Sequence, residues 1–272
     1  MAFTYEYPRP AVTVDVVLFA VRGTELSVLL IRRKHAPFRG SWALPGGFVD
    51  ESESLEHAAA RELEEETTVT GVRIEQLGAF GDPGRDPRGH TVSVAFWSFL
   101  HTAPRAAASD DAAEAQWMPL SSIALTDEPP VSGRGKAATK RGSRGLAELA
   151  FDHRTIINTA LQRLRDRLAG PRGPMGLPDL VPARFTLGEL QHVYQVALGR
   201  QIDRRNFRAK LIADKVVAPA LGVRSGRHRP AQLYRFAADF PAMLRDAVDP
   251  KAKPKASRAK PSKAKKRKKP AQ

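Results

Sequence analysis

Cysteine is missing from all 272 residues of the chain. Its absence excludes disulfide bridges and thiolate metal sites, and it fits a protein of a reducing cell interior. Long apolar runs are missing as well, since no stretch approaches the about 18 residues that a membrane helix needs. The first ten residues lack the charged start and apolar core of a signal peptide. We therefore expect a cytoplasmic protein that does not enter a membrane.

Acidic side chains become scarce in the second half of the chain. Lys and Arg number 44 against 29 Asp and Glu, which gives a net charge of +15. Residues 1–168 carry a net charge of −2, residues 169–250 carry +6, and residues 251–272 carry +11. An acidic module followed by a basic one indicates that the second half meets a polyanion. The length also suffices for two hydrophobic cores.

The most informative segment, residues 47–69, is rich in glutamate. Glu62, Glu65 and Glu66 are spaced i, i+3 and i+4, so a helix brings the three carboxylates onto one face. The opposite face carries an apolar stripe formed by Leu55, Ala59 and Leu63. Carboxylates this close repel one another, and a shared cation such as Mg²⁺ would explain the cluster because it prefers oxygen ligands. An ordinary solvated helix face is the alternative.

The spacing in this segment resembles the Nudix box, the signature of hydrolases that act on a nucleoside diphosphate linked to another group. The residues that carry the resemblance are Gly47, Glu53, Arg61, Glu62, Leu63, Glu65, Glu66 and Val69. The resemblance implies that Glu62, Glu65 and Glu66 bind Mg²⁺ or Mn²⁺. It implies that Glu53 and Arg61 belong to the catalytic machinery and that Gly47 borders the ligand. Thr68 departs from the box, which has a glycine there that would cap the helix.

The regions around the acidic helix predict a mixed sheet. Residues 12–19 and 26–32 are β-rich and are joined by a hairpin turn at residues 22–24. Further strands are predicted at residues 72–80, 90–100 and near 115–118, with a second helix at residues 154–168. This order favours an α/β class fold, a Nudix α/β/α sandwich over residues 8–168, rather than a doubly wound sheet.

A Gly- and Pro-rich stretch, residues 169–182, predicts a linker. After it, Thr186 and Glu189 form a capping-box pattern ahead of a helix that Gly199 ends. Asp203 then caps a second helix that is predicted to continue to about residue 215. Its predicted buried residues are Phe207 and Leu211.

The second helix is basic, and a basic hairpin follows it at residues 216–236. Two helices and a basic hairpin are typical of a winged helix, which we predict over residues 183–240. In such a domain the second helix enters the major groove of duplex DNA and the hairpin touches the backbone. The predicted DNA contacts are Arg204, Arg205, Arg208 and Lys210 on the helix, with Arg224, Arg227 and Arg229 at the hairpin tip. A small helical domain with a charged exposed face is the alternative.

The two halves together resemble the Nudix-related transcriptional regulators of NAD biosynthesis. The segments that carry this resemblance are FTLGELQHVYQVALGRQIDRRNFRAKL, HRPAQLYRF, RDPRG at 85–89 and LAFDH at 149–153. The resemblance implies a repressor of NAD metabolism genes that binds a duplex operator and is released by ADP-ribose or a related nucleotide. Paired operator half-sites favour a homodimer.

Several residues outside the acidic helix are candidates for ligand contact. Arg85, Asp86 and Arg88 lie in a Gly/Pro-rich loop, where guanidinium groups can clamp a diphosphate. Simple pairing of Asp86 with a neighbouring arginine is the alternative. Residues 32–34 can likewise face a phosphate or be solvated, and His153 fits a structural cap better than a catalytic role.

Two low-complexity regions complete the chain. Residues 127–145 predict a mobile surface loop, and residues 250–272 predict a disordered Lys-rich tail that adds salt-sensitive affinity for phosphates. Besides the regulator, two other functions stay open. One is a Mg²⁺-dependent ADP-ribose pyrophosphatase that its basic half tethers to nucleic acid, and the other is an RNA-associated Nudix enzyme.

Overall fold

The N-terminal domain is a seven-stranded mixed sheet between two helices. The computed structural model describes residues 6–108, 112–125, 146–169, 178–225 and 230–237. The strands are β1 (Ala11–Arg22), β2 (Glu25–Arg33), β3 (Trp42–Ala43), β4 (Gly46–Phe48), β5 (Glu75–Phe80), β6 (Thr91–Leu100) and β7 (Ala112–Pro119). The helices are α1 (Leu55–Thr67) and α2 (His153–Ala169). The predicted α/β/α sandwich with a mixed sheet is confirmed.

Strand β1 lies at the centre of this sheet. The main order is β3-β2-β1-β6-β5, while β4 pairs with β1 and β7 pairs with β2. Only the β1–β6 pair is parallel among the named pairs, and β1 and β2 form the predicted hairpin around Gly23 at φ 59°. Strand β5 begins at Glu75, later than the predicted residue 72, and the short strands β3 and β4 were not predicted.

Both faces of β1 are buried, because a helix covers each side of the sheet. Val14, Val16 and Leu18 pack with the apolar side of α1, whereas Val17 and Phe19 pack with α2. Alternate residues of a strand point to opposite faces, so one strand supplies two cores. Burying the apolar side of α1 leaves its glutamate side available at the sheet edge.

The C-terminal domain contains two helices and a hairpin. Its elements are α3 (Leu187–Leu198), α4 (Arg204–Ala213), β8 (Val217–Arg224) and β9 (Ala231–Phe236). The capping box of Thr186 and Glu189 is present, and Gly199 ends α3 at φ 65°. Helix α4 ends at Ala213, before the predicted residue 215, and β8 continues to Arg224, which the sequence analysis placed in the turn.

One hydrophobic cluster spans both domains in the described part of the chain. Buried residues of α2, α3 and β8 belong to one continuous cluster. Leu180 and Val181, which fall in the predicted linker, are buried in that cluster. Polar contacts add to it, since His192 Nε2 lies 2.7 Å from the Gly23 carbonyl. Residues through Ala237 therefore form one compact unit.

No helix in the described segments is long and apolar enough to cross a membrane. The predicted mobile loop at residues 127–145 and the predicted tail at residues 250–272 both lie outside the described residues. Most of the predicted linker, residues 170–177, lies outside them as well. These predictions stay predictions.

Candidate functional site

Helix α1, which carries the glutamates, is capped at both ends. Ser54 caps the N-terminus by accepting a hydrogen bond from the His57 N–H at 3.2 Å. At the C-terminus Thr68 takes the left-handed φ of 60° and donates its N–H to the Glu64 carbonyl at 2.8 Å. The threonine thus adopts the cap conformation for which glycine is favoured. The departure from the Nudix box therefore leaves a capped helix.

The guanidinium of Arg61 lies among the predicted carboxylates. It donates to Glu53 at 2.9 Å through Nε and Nη2, and through Nη1 to Glu62 at 2.9 Å and Glu65 at 3.1 Å. Nη2 also donates to the Phe48 carbonyl at 3.1 Å. The hydrogen bond from Arg61 holds the pKa of Glu53 at about 2, and the same bond raises the pKa of Arg61. Arg61 therefore brings three carboxylates together.

Glu66 is the most buried carboxylate of the helix. It accepts the Gly46 N–H at 2.9 Å and is 8% exposed. Burial raises the pKa of Glu66 to about 8, with further contributions from the negative charges of Glu62 and Asp15. Burial also raises the pKa of Glu62. Both carboxylates are therefore destabilised as anions and would gain from additional positive charge.

Two glycines allow β4 to approach these carboxylates closely. A Cβ on Gly47 would overlap the Glu62 carboxylate, and a Cβ on Gly46 would overlap the Val14 carbonyl. Glycine is the residue that permits such an approach of backbone to a charged group. Gly47 therefore borders Glu62, one of the predicted metal ligands.

The donor set of α1 suits a hard divalent cation, which takes carboxylate oxygens. Among the described residues, no three His, Asp or Glu side chains already stand in a metal-holding group. Arg61 instead pairs with two of these carboxylates, Glu62 and Glu65. The raised pKa values of Glu62 and Glu66 favour a cation at this position. The residues present therefore fit a metal ion, provided that Glu65 turns toward Glu66.

An open cleft of about 140 Å³ borders β1 and β4. On its floor, Arg85 forms a two-pronged pair with Asp152, with distances of 2.6 and 2.9 Å. The same guanidinium lies 3.6 Å from Asp15, which also accepts a hydrogen bond from the Ser93 hydroxyl at 2.5 Å. Arg85, a predicted ligand contact, is thus held by two carboxylates of the protein itself.

His153, the first residue of α2, completes this floor. Its Nδ1 accepts the Leu44 N–H at 2.8 Å, so the ring proton lies on Nε2, 3.3 Å from Asp15 Oδ1. Burial opposes the ionisation of Asp15, but His153, Ser93 and Arg85 outweigh it and lower the pKa of that carboxyl. His153 is 4% exposed, and its contacts agree with the structural role expected from the sequence.

The rim of the cleft combines cations with aromatic rings. Arg88 pairs with Asp86 at 2.7 Å, and its guanidinium lies 5.2 Å from the Phe48 ring and 5.7 Å from the Phe151 ring. Arg33 lies 4.8 Å from the centre of the Phe151 ring. Asp86 is 4% exposed, and the hydrogen bond from Arg88 lowers its pKa. The pairing of Asp86 with a neighbouring arginine is therefore present.

The predicted DNA-contacting residues differ in their surroundings. Arg204, Arg205 and Lys210 are exposed on α4, whereas Arg208 is half-buried and runs along the first turn of α3 beside Gly188. Burial, followed by the nearby charge of Arg204, lowers the pKa of Arg208. Arg208 is therefore the one predicted DNA-contacting cation of α4 that is not exposed.

The predicted cations of the β8–β9 hairpin, the wing of the winged helix, also differ in their surroundings. Arg224 lies at the end of β8 rather than at the hairpin tip, and its guanidinium pairs with Glu189 and donates to the Arg184 carbonyl at 3.2 Å. It therefore holds the wing against the start of α3. The placement at the tip was wrong because β8 is longer than the sequence analysis predicted. Arg227 and Arg229 lie outside the described residues.

The sequence analysis did not select Asp15, Asp152, Phe48 or Phe151. Asp15 had a detectable signal, because it is the one acidic residue within the apolar run of β1. A carboxylate at such a position must be paired once it is buried. Its partners Arg85 and His153 are far away in the sequence, so the cleft itself could not be located from the spacing.

The fold and the two sites define a Nudix domain joined to a winged-helix DNA-binding domain. The NUDIX domain model matches residues 9–137, and the model described as the NrtR DNA-binding winged helix domain matches residues 178–236. The ADPR-responsive transcriptional repressor of Acinetobacter baylyi is 32% identical over 246 residues, which cover 88% of this chain and 89% of that protein. The chain therefore belongs to the NrtR family of Nudix-related transcriptional regulators.

Two further proteins are similar to this chain. The crystal structure of Shewanella oneidensis NrtR complexed with a 27mer DNA has a TM-score of 0.60 and 32% identity, covering 85% of this chain and 95% of that one. The ADP-ribose pyrophosphatase of Methanocaldococcus jannaschii is 36% identical over 151 residues, or 56% of this chain and 73% of that protein. Nudix hydrolases generally use a divalent metal ion, in agreement with the donor set on α1.

Proposed function

We propose that this protein is an ADP-ribose-responsive transcriptional repressor of NAD metabolism genes. In the absence of ligand, its winged helix binds a duplex operator as part of a homodimer. ADP-ribose or a related nucleoside diphosphate binds in the Nudix domain and weakens that binding. The repressor acts in the cytoplasm, where a bacterial operator is accessible. The similarity to the Acinetobacter baylyi repressor over most of both chains supports this proposal.

The structural observation that carries the proposal is the position of α2. Its first residue, His153, contacts the cleft through Asp15 and Leu44. Further along, Ile157, Leu161 and Leu164 of α2 belong to the same buried cluster as Leu190 and Val193 of α3. One rigid helix therefore connects the floor of the cleft to the DNA-binding domain. A ligand that shifts the start of α2 would displace α3 as well.

Glu62, Glu65 and Glu66 are the proposed ligands of Mg²⁺ or Mn²⁺. When bound, such a cation would supply positive charge to a pyrophosphate and acidify a water molecule beside it. Arg61 keeps the carboxylates grouped through its ion pairs with Glu53, Glu62 and Glu65. Glu53 in turn fixes the guanidinium through two hydrogen bonds. These five side chains form the proposed catalytic and metal-binding set.

The proposed nucleotide contacts lie across the cleft. Gly47 offers backbone close to Glu62, while Arg88 and Arg33 carry guanidinium groups at the rim. Arg85 pairs with Asp152 on the floor of the cleft. Asp86 pairs with Arg88 at its rim. Arg88 remains partly open to solvent beside its pair with Asp86, because 43% of its side chain is exposed. A diphosphate would therefore meet Arg88 before it met Arg85.

A second candidate function is hydrolysis of ADP-ribose to AMP and ribose 5-phosphate. The observation that favours it is the complete acidic set on α1, which a purely ligand-sensing pocket does not require. The similarity of the Nudix portion to the Methanocaldococcus jannaschii pyrophosphatase also supports it. The two functions are compatible, since a slow hydrolase would sense ADP-ribose and end its own signal.

Parallel assays of one double variant separate these functions. The wild type and the Glu65→Gln/Glu66→Gln protein are compared for Mg²⁺-dependent hydrolysis of ADP-ribose. In parallel, a mobility-shift assay measures whether ADP-ribose releases each protein from operator DNA. If the variant loses turnover but still releases DNA, sensing does not need the metal. If both are lost, the metal takes part in ligand recognition.

Three outcomes would contradict the proposal. Wild-type DNA binding that is the same at every ADP-ribose concentration would remove the sensing role. Fast turnover without preference for any DNA sequence would favour a tethered pyrophosphatase. Tighter binding of RNA than of duplex DNA would instead favour an RNA-associated enzyme.

A further inference from the structure

The exposed face of α4 is not uniformly basic. The helix buries Leu211 and packs Phe207 against the core. With 3.6 residues per turn, the surface opposite these two side chains consists of five positions. They are Arg205, Asn206, Ala209, Ile212 and Ala213, all of them exposed. The centre of the face is thus largely apolar, and the cations Arg204 and Lys210 stand on its two flanks.

Ile212 is the least expected residue of this face, because 53% of a large apolar side chain is exposed to solvent. It follows Ala209 by three residues, so these two apolar side chains form one stripe along the helix, and Arg205 lies one turn before Ala209. Neither neighbouring helix nor hairpin covers it in the described structure. An apolar stripe between flanking cations matches the major groove, in which phosphates border the floor and thymine methyl groups project from it.

We propose that Ala209 and Ile212 read the methyl groups of thymines in the operator, and that Arg205 and Asn206 read the bases beside them. The inference rests on the proposed function, since it requires that the winged helix binds duplex DNA. Arg and Asn side chains suit the hydrogen-bonding edges of guanine and adenine, whereas small and branched apolar side chains suit the thymine methyl. Arg204 and Lys210 position the helix through phosphates and carry no sequence information.

Three features favour DNA over a protein partner for this face. All three exposed ionic side chains of α4 are cations, and Asp203 is used by the helix cap, where it accepts the Asn206 N–H at 2.7 Å. The side chains of Arg205 and Asn206 have no hydrogen-bond partner among the described residues, which leaves their donors available. The family model that matches residues 178–236 describes a DNA-binding domain.

Replacement of thymine by deoxyuridine tests the inference, because it removes the methyl group and leaves base pairing intact. Duplexes that bind the full chain are first selected from a random library, and each thymine is then replaced in turn. Affinities are measured by fluorescence anisotropy for the wild type, Ile212→Ala and Leu221→Ala. Leu221 is a matched control, since it is an apolar side chain of the same domain that is 87% exposed but lies on β8.

We expect one or two positions at which deoxyuridine weakens wild-type binding about fourfold per methyl group, equivalent to about 0.8 kcal/mol. Ile212→Ala should weaken binding to the thymine duplex and abolish the difference between thymine and deoxyuridine at one of these positions. Leu221→Ala should keep that difference. Circular dichroism of Ile212→Ala establishes that the domain is folded.

The possible failures are distinguishable. If the library yields no preferred sequence, the proposed operator binding is wrong. If a sequence is selected but no thymine responds to deoxyuridine, operator binding stands and the reading of methyl groups by α4 is overturned. The same conclusion holds if the sensitive thymines respond equally in the wild type and in Ile212→Ala.

Discussion

Gly47 is the residue on which the arrangement of the acidic site depends most directly. A Cβ at this position would overlap the Glu62 carboxylate, so Gly47→Ala must displace either β4 or Glu62. We expect Gly47→Ala to weaken Mn²⁺ binding by about 10- to 100-fold, as for other changes that misplace a metal ligand. Isothermal titration with Mn²⁺ measures the effect. Gly78→Ala is the matched control, because its Cβ would meet nothing within 4 Å; equal affinities of the two variants would contradict the prediction.

Glu66 makes the stability of the metal-free protein depend on pH. Burial raises its folded-state pKa to about 8 from an ordinary value of 4.5. Between these values the folded state binds more protons than the unfolded state, so the free energy of unfolding falls as the pH rises. We expect Glu66→Gln to remove this fall, measured by urea denaturation with EDTA at pH 5, 6, 7 and 8.

Glu64→Gln provides the comparison for this series, since Glu64 is exposed on the same helix. Its pH dependence should match that of the wild type. Added Mn²⁺ should stabilise the wild type more at pH 8 than at pH 5, because the carboxylate must be ionised to bind a cation. A wild-type stability that stays constant over this pH range in EDTA would contradict the raised pKa of Glu66.

Individual residues of the site were predictable from the sequence to different extents. The carboxylates of α1 were predictable because they are neighbours on one helix, and helical spacing fixes which side chains share a face. The pairing of Arg85 with Asp152 was not, since 67 residues separate them in the sequence. Likewise, Asp15 is recognisable in the sequence as an acid within an apolar strand, but its partners Ser93 and His153 are brought to it only by folding.

Among the elements, α1 carries a local strain at its C-terminus. Thr68 holds a φ of 60°, which a β-branched residue adopts only at a cost. Thr68→Gly should therefore raise the free energy of unfolding by about 0.5–1 kcal/mol, after allowance for the greater entropy of unfolded glycine. Urea denaturation measures the change. Thr70→Gly, at an exposed position without a left-handed φ, should lower the stability or leave it unchanged; a gain there as large as at position 68 would argue against strain relief.

The long elements were predictable, whereas the short ones were not. The capping box ahead of α3 and the glycine after it mark both ends of that helix in the sequence. Strands β3 and β4 contain two and three residues, too few to show an alternating pattern. They form because β2 and β1 offer unpaired edges to the chain between residues 42 and 48. Edge pairing of this kind depends on tertiary structure.

At the level of the whole molecule, α2 connects the Nudix domain to the winged helix, two regions that the charge distribution of the sequence predicted to be separate modules. The charge difference between the halves predicted two modules joined by a linker, but it could not predict that α2 and α3 would share one core. That packing depends on apolar residues of both domains, including Leu164 and Leu190. Because the core is continuous, it offers a route by which the proposed ligand binding in the cleft would reach the DNA-binding domain.

Asp152 is the position at which this coupling can be interrupted without touching α4 or the acidic helix. It lies directly before α2 and holds Arg85 through two hydrogen bonds. We expect Asp152→Asn to bind DNA with nearly wild-type affinity in the absence of ligand, because the core of the winged helix is unchanged. ADP-ribose should lower the DNA affinity of Asp152→Asn less than it lowers the DNA affinity of the wild type. In allosteric proteins such a change in affinity is about 5- to 150-fold.

Fluorescence anisotropy of a selected duplex, titrated with protein at several ADP-ribose concentrations, measures both quantities in one experiment. Asp166→Asn is the matched control, since Asp166 lies on the exposed side of the same helix and accepts a hydrogen bond from Gln162, four residues before it on α2. The Asp166→Asn protein should lose as much DNA affinity on addition of ADP-ribose as the wild type does. Direct titration of ADP-ribose separates lost ligand binding from lost coupling. If Asp152→Asn binds ADP-ribose as the wild type does and still releases DNA to the same extent, the signal does not pass through the start of α2.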